Sequence, residues 1–194
     1  MNQARPDHRA KRSIPPGRSF LFWAIALAGA GFDLATKAYF FRKIGEPYQR
    51  APLSVIPHVL ELQTSYNKGA LWGFMNSVPH SSLIFAGLSI LAAVGICYWL
   101  LAMGAAADRR LTVALALIMA GALGNCYDRL VLGKVRDFVH LHIDPINFDC
   151  AIFNFADNML VAGALILMVL ALKPERATPP EVSPQTPVEA LHAS

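Results

Sequence analysis

Four stretches of this chain are apolar over about the length that the hydrocarbon core of a bilayer demands. They run roughly over Ser19–Phe41, Ser81–Met103, Leu111–Tyr127 and Ile152–Leu172. A helix rises about 1.5 Å per residue, so about 20 residues cross the core. Lipid offers no hydrogen bonds, so each crossing must satisfy its own backbone, which a helix does. Of 194 residues, 55% are hydrophobic and only 15% are charged. That is too little charge for a soluble domain of this length. The expected fold class is an all-α membrane protein with four transmembrane helices and a small β-rich outer loop region.

The positive net charge of +4 does not point to nucleic acid, because the basic residues are distributed by side. Arg5, Arg9, Lys11, Arg12 and Arg18 precede the first span, Arg109 and Arg110 lie between the second and third, and Lys173 and Arg176 follow the fourth. An even span count puts these three segments on one side, and the positive-inside rule makes that side cytoplasmic. Ala26-Leu27-Ala28 resembles a signal-peptide cleavage site, but the apolar run is too long for an h-region and is read as an uncleaved anchor.

The chain divides into a basic cytoplasmic arm (1–18), a four-helix membrane domain (19–172) and a Pro-rich cytoplasmic tail (173–194), read as disordered. Residues 42–80 form the longer outer loop. Within it, Leu53–Thr64 reads as short strands and turns, and Asn67-Lys68-Gly69 as a turn. Residues 128–151 form a second outer loop, with Gly133 and Pro145 as breakers. Cys97, Cys126 and Cys150 make no C-x-x-C pair and are read as free thiols.

Parity places the end of span one, the start of two, the end of three and the start of four on one face. The unusual polar residues gather there: Asp33 and Lys37; Asn125, Asp128 and Arg129; Asn154 and Asp157; with Asn67 and Asp137 in the adjoining loops. Each has an ordinary explanation. Asp33 and Lys37 are spaced for an i, i+4 ion pair. Asn154 and Asp157 fit a capping box. Asn125, Asp128 and Arg129 share a helix face and can anchor it at the headgroups. His140-x-His142 is too weak a signal to assign a metal. Taken together, though, Asp137 and Asp157 are two carboxyl groups at one membrane rim, able to share a proton and activate water. The alternative is a small non-enzymatic carrier or binding protein, since buried ionisable residues also mark ion paths. Clustering at one face disfavours it.

The motifs carrying these residues resemble those of the lipoprotein signal peptidases (signal peptidase II), the bacterial membrane aspartic peptidases. Asp33-Leu34-Ala35-Thr36-Lys37 is similar to the family's D-x-x-T-K. Val55-Ile56-Pro57 and Asn67-Lys68-Gly69-Ala70-Leu71-Trp72 follow, then Gly124-Asn125-x-x-Asp128-Arg129, Gly133-x-Val135-x-Asp137-Phe138 and Phe153-Asn154-x-Ala156-Asp157, all in family order. Ala120 stands where Gly is usual, Asn158 where Ser is common, and the stretch before Phe153 lacks the usual Trp-Pro-like sequence. The resemblance implies Asp137 and Asp157 as the catalytic pair. It implies Asn67, Gly69, Asn125, Arg129 and Asn154 as site-lining residues, and Asp33, Lys37 and Asp128 as structural support. It further implies a monomer in the bacterial inner membrane with its site near the periplasmic face. No cofactor or metal is expected. The implied partners are membrane lipids and diacylglyceryl-modified prolipoproteins, cut before the lipidated Cys.

Overall fold

The computed structural model describes residues 15, 17–69, 75, 77–103 and 105–172; the basic arm before residue 15, Ala70–Trp72 and the Pro-rich tail lie outside the described residues. Four α-helices carry the fold: α1 (Arg18–Ile44), α2 (Ser81–Leu101), α3 (Arg109–Leu132) and α4 (Phe155–Ala171). The first three are long and apolar enough to cross a membrane, and α4 is a shorter apolar helix of 17 residues. Helix α3 is the hub, packing against all three others. Ala114, Ala116, Ala120, Gly121, Ala122 and Gly124 are buried along it, and such small residues let neighbouring backbones approach closely. Large apolar side chains such as Leu27, Leu88, Leu91, Val94 and Leu165 point outward, as a lipid-facing surface requires.

Two features differ from the sequence reading. The third span was expected to end at Tyr127, ahead of Asp128 and Arg129. Helix α3 instead runs on to Leu132, because both charges turn into the protein and are nine-tenths or more buried. Gly133, at φ 69°, then stops it in the left-handed conformation that glycine adopts without steric cost. At its other end, Asp108 caps α3 by accepting from the Arg110 and Leu111 backbone N–H groups at 2.7 and 3.4 Å.

The second difference is in the outer loops. Among the described residues four strands lie outside the helices, ordered β1 (Leu53–Ile56), β2 (Leu60–Asn67), β3 (Val135–Ile143) and β4 (Phe148–Asp149), each antiparallel to the next. The second outer loop is therefore largely strand, a departure from its reading as a loop with breakers. Phe138, fully buried, ties this sheet to the helices. Its ring stacks on Phe40 of α1 at 4.6 Å and meets Phe155 of α4 edge-on at 5.6 Å.

The bundle has two unlike ends. At one, Phe22, Ala26, Ile96, Leu100, Leu115 and Met119 form a dry core. At the other, beneath the sheet, lie Asp33, Lys37, Asn125, Asp128 and Asn154, all buried. The site is built at this second end. The three cysteines are free thiols, as expected.

Candidate active site

The polar end begins with a four-charge network. Lys37 Nζ lies 2.7 Å from Asp33 one turn back on α1 and 3.6 Å from Asp128 on α3. Asp128 is also gripped by Arg136 of β3, through side-chain contacts of 2.7 and 3.2 Å and its backbone N–H at 3.0 Å. Two acids thus meet two bases, which is how buried charge becomes tolerable. Asp33 also reaches across to α4, where its Oδ1 accepts from the Ala156 backbone N–H at 2.8 Å. That N–H lies in the first turn of α4 and has no partner within its own helix.

Above this network the side chains converge. Asn154 caps α4 in a reciprocal box: its Oδ1 accepts from Asp157 N, and Asp157 Oδ2 accepts from Asn154 N, both at 3.1 Å. The Asn154 Nδ2 group donates to Asp137 Oδ1 at 2.6 Å and to Asn125 Oδ1 at 3.2 Å. Asn125 Nδ2 donates to Asp157 Oδ1 at 2.8 Å. The two carboxyl groups are therefore joined through two amides. Lys37 Nζ, which can only donate, bonds Asn125 Oδ1 at 2.8 Å. This fixes the Asn125 amide with its NH2 toward Asp157.

Strand pairing explains why Asp137 arrives here. The backbone N–H groups of Phe138 and Val139 both donate to Phe153 O, at 3.1 and 2.9 Å, and Phe153 N–H donates back to Val139 O at 2.9 Å. Strand β3 is thus bonded to the residue just before the α4 cap. Asp137 and the capping box are held by the same short ladder, in addition to any side-chain contact.

A cavity of about 320 Å³ opens over the pair, lined by Asn67, Asn125, Arg129, Asp137 and Asp157 on its polar side. Val135, Leu141, Ile152, Phe153 and Val161 form apolar walls, with Cys150 and Asn158 at the margin. Gly69 contacts two of these lining residues, Asn67 and Arg129. Its N–H donates to Asn67 Oδ1 at 2.9 Å, closing the expected turn, and its carbonyl accepts from Arg129 at 3.0 Å. Arg129 lies 5.4 Å from the Phe85 ring, and among the described residues its Nε has no hydrogen-bond partner.

Asp137 is 3% exposed. Burial first, and the negative charge of Asp157 second, push its pKa up to about 7, against the lowering effect of the Asn154 bond, Lys37 and the Asn67 bond. Of the candidate residues, Asn67, Asn125, Arg129, Asp137 and Asp157 line the cavity, Asn154 bonds both carboxyls, and Gly69 lies behind them, bonded to Asn67 and Arg129. Asp33, Lys37 and Asp128 lie beneath, as supports. Sequence reasoning missed Arg136, the second base of the charge network. Its signal was its place on a strand that also carries Asp137.

A pair of linked carboxyl groups, Asp137 buried and Asp157 half-buried, under a half-apolar cavity at one end of a lipid-facing bundle is peptidase-like in its chemistry. The model of the signal peptidase (SPase) II family matches residues 25–173. The chain belongs to that family. It is an aspartic endopeptidase of the signal peptidase II type, which removes the carrier reading. It is 33% identical to the lipoprotein signal peptidase of Pseudomonas putida, over 84% of this chain and 93% of that one. It is also 33% identical to the lipoprotein signal peptidase of Staphylococcus aureus strain JH9, over 73% and 82%. Among solved structures, a bacterial membrane enzyme determined at 2.3 Å superposes with a TM-score of 0.70 at 29% identity, covering 82% of this chain and 94% of that one.

Proposed function

We propose that this enzyme cleaves diacylglyceryl-modified prolipoproteins just before the lipidated Cys, with Asp137 as general acid and Asp157 as general base. The observation that carries the assignment is the linking of the Asp137 and Asp157 carboxyl groups through the Asn125 and Asn154 amides beneath one cavity. Burial and the neighbouring Asp157 charge push the Asp137 carboxyl up to about 7, which suits it to carry a proton as general acid. Asp157 receives the Asn125 amide and the Asn154 backbone N–H, which hold its two oxygens toward the cavity as acceptors.

In the first step Asp157 takes a proton from water as the oxygen attacks the scissile carbonyl, and Asp137 gives its proton to the carbonyl oxygen. A tetrahedral diol results, with Asp157 protonated and Asp137 ionised. In the second step the diol returns a proton to Asp137 and Asp157 protonates the leaving amine, so the C–N bond breaks and the starting proton count is restored. Arg129 lines the cavity, where its guanidinium can meet the substrate backbone or a lipid phosphate. The apolar walls at Val135, Ile152 and Val161 suit a substrate that arrives from the bilayer with acyl chains attached.

This reading includes four crossings, with α4 as the fourth and the site at the outer face. The 17 residues of α4 sit at the lower end of what spans a bilayer. One chain supplies every group named, so a monomer suffices. The test is proteolysis of a lipidated precursor in detergent. Asp137→Asn and Asp157→Asn are each expected to lose cleavage by at least about a thousandfold while retaining helical content. Wild-type turnover by either variant would refute the pair.

A further inference from the structure

A second group of potential ligands lies on the sheet, apart from the carboxyl pair. Glu61 of β2 is the register partner of His140 on β3, so their side chains share a face. His142 lies two residues along β3, and a strand returns to the same face every second residue. The strand register therefore gathers one carboxylate and two imidazoles. One potential donor atom from each residue lies within 4.8 Å of those from the other two. The two imidazole rings sit 5.0 Å apart and are tilted by 30°. The group borders a cavity of about 300 Å³ that Asn147, Phe148 and Asp149 complete.

From this arrangement we infer that Glu61, His140 and His142 form a binding site for a divalent transition-metal ion, Zn2+ fitting best. Imidazole nitrogen with a single carboxylate suits zinc, whereas Ca2+ and Mg2+ prefer sets made of oxygen. Zinc bonds of about 2.0–2.1 Å place tetrahedral ligands about 3.3 Å apart. The donor atoms, within 4.8 Å of one another, stand at most about 1.5 Å beyond that spacing. Orientation is largely set in advance. The His140 ring accepts from Gln63 Nε2 through Nδ1 at 3.0 Å, so Nδ1 faces β2, the strand of Glu61. Its Nε2 faces Asp149 Oδ1 at 2.7 Å. The metal replaces the neutral Gln63 contact and leaves Asp149 behind a metal-bound imidazole, the usual carboxylate–histidine support. His140-x-His142 alone was too weak to indicate this. The cross-strand Glu61 and the Asp149 support come only from the fold.

The consequence is structural. The ion would tie β2 to β3, ahead of the segment Cys150–Phe153 that walls the catalytic cavity. The inference is independent of the cleavage mechanism.

The test uses untagged full-length protein in detergent, stripped with a chelator and dialysed. Calorimetric titration with ZnCl2 is expected to show one ion per chain. Affinity should fall at least tenfold in both His142→Ala and Glu61→Gln, and Zn2+ should raise the thermal midpoint of the wild type but of neither variant. Helical circular dichroism checks that both variants are folded, and Glu61→Gln changes shape least. Substoichiometric binding, or wild-type affinity in both variants, overturns the site.

Discussion

A carboxyl group that titrates near neutrality is where single residues have the largest measurable effect. Asp137 binds its proton more tightly folded, at about 7, than unfolded, at 3.8. The native state therefore holds more protons than the unfolded one between those values. Stability contributed by this group is fully present below about pH 4 and is lost as pH rises through 7. Asp137→Asn removes the buried charge while nearly keeping the shape. It is expected to raise the thermal midpoint in detergent at pH 8 and to do so little at pH 4. The gain at pH 8 is at most about 4 kcal/mol, at about 1.4 kcal/mol per pKa unit. An equal shift at both pH values would show that the charge is not the cause. With Asp137 as the proposed general acid, cleavage by the wild type is expected to fall about tenfold per pH unit above 7 as that acid is lost. A flat profile to pH 9 would place the working proton elsewhere. Lys37 offers a further test. Lys37→Met leaves Asp33 and Asp128 facing one another with one cation fewer and frees the Asn125 amide to turn. Breaking a buried ion pair costs about 3–5 kcal/mol, so a large drop in thermal midpoint is expected, with cleavage lost in whatever remains folded. The dyad and Lys37 were legible in sequence because each sits in a short motif. Arg136 was not, because its partner Asp128 is eight residues away across a helix end, where no local period reports the contact.

Between elements, the decisive contact is α3 against α4, since Asn125 and Asp157 face each other across it. Gly121 permits that approach. A Cβ there would collide with the Ala156 carbonyl oxygen and lie 2.7 Å from Leu160 Cγ. Gly163, farther along, meets Ala114 O and Ile118 in the same way, at 2.7 and 2.6 Å. Backbone oxygen cannot swing aside, so Gly121→Ala must push the helices apart one turn from the Asn125–Asp157 bond. The expected result is a folded protein with cleavage lowered at least about tenfold and a smaller loss at Gly163→Ala, because a shift of about an ångström at a catalytic bond is costly. Equal effects at the two glycines would mean that general stability, not the local gap, is being read. Hydropathy located the helices well, yet it misjudged their ends where charge is buried, as at Asp128 and Arg129. It also hid β3. Asp137 stands on the phase of Val135, Val139, Leu141 and Ile143, and Phe138 on the phase of Arg136, His140 and His142, so the apolar alternation that marks a strand is broken in its first half.

For the molecule as a whole, the unlike ends of the bundle make topology a functional matter. The dry core occupies one end and the carboxyl pair the other, so the direction of insertion decides which compartment supplies water and receives the cleaved peptide. Arg109 and Arg110, at the start of α3, flank the dry end, and basic residues near span ends are held on the cytoplasmic side. The proposed orientation, with these arginines cytoplasmic, would put the sheet and the cavity outside. The weak point is α4. At about 1.5 Å per residue its 17 residues extend about 26 Å, slightly under the core thickness of about 30 Å. If α4 crosses, a reporter fused after Leu172 returns to the cytoplasm, while one fused at Gly133, after three crossings, does not. A protein that fluoresces only in the cytoplasm is therefore expected to be bright at the first position and dark at the second, and a secreted phosphatase should give the reverse. If α4 stops short, both fusions fall on the outer side and give the same reading. The outcome also bears on the chemistry, because the capping box that holds Asp157 sits at the first turn of this helix. A crossing α4 fixes that turn at the outer interface, where water can reach the dyad while the apolar cavity walls remain in contact with lipid.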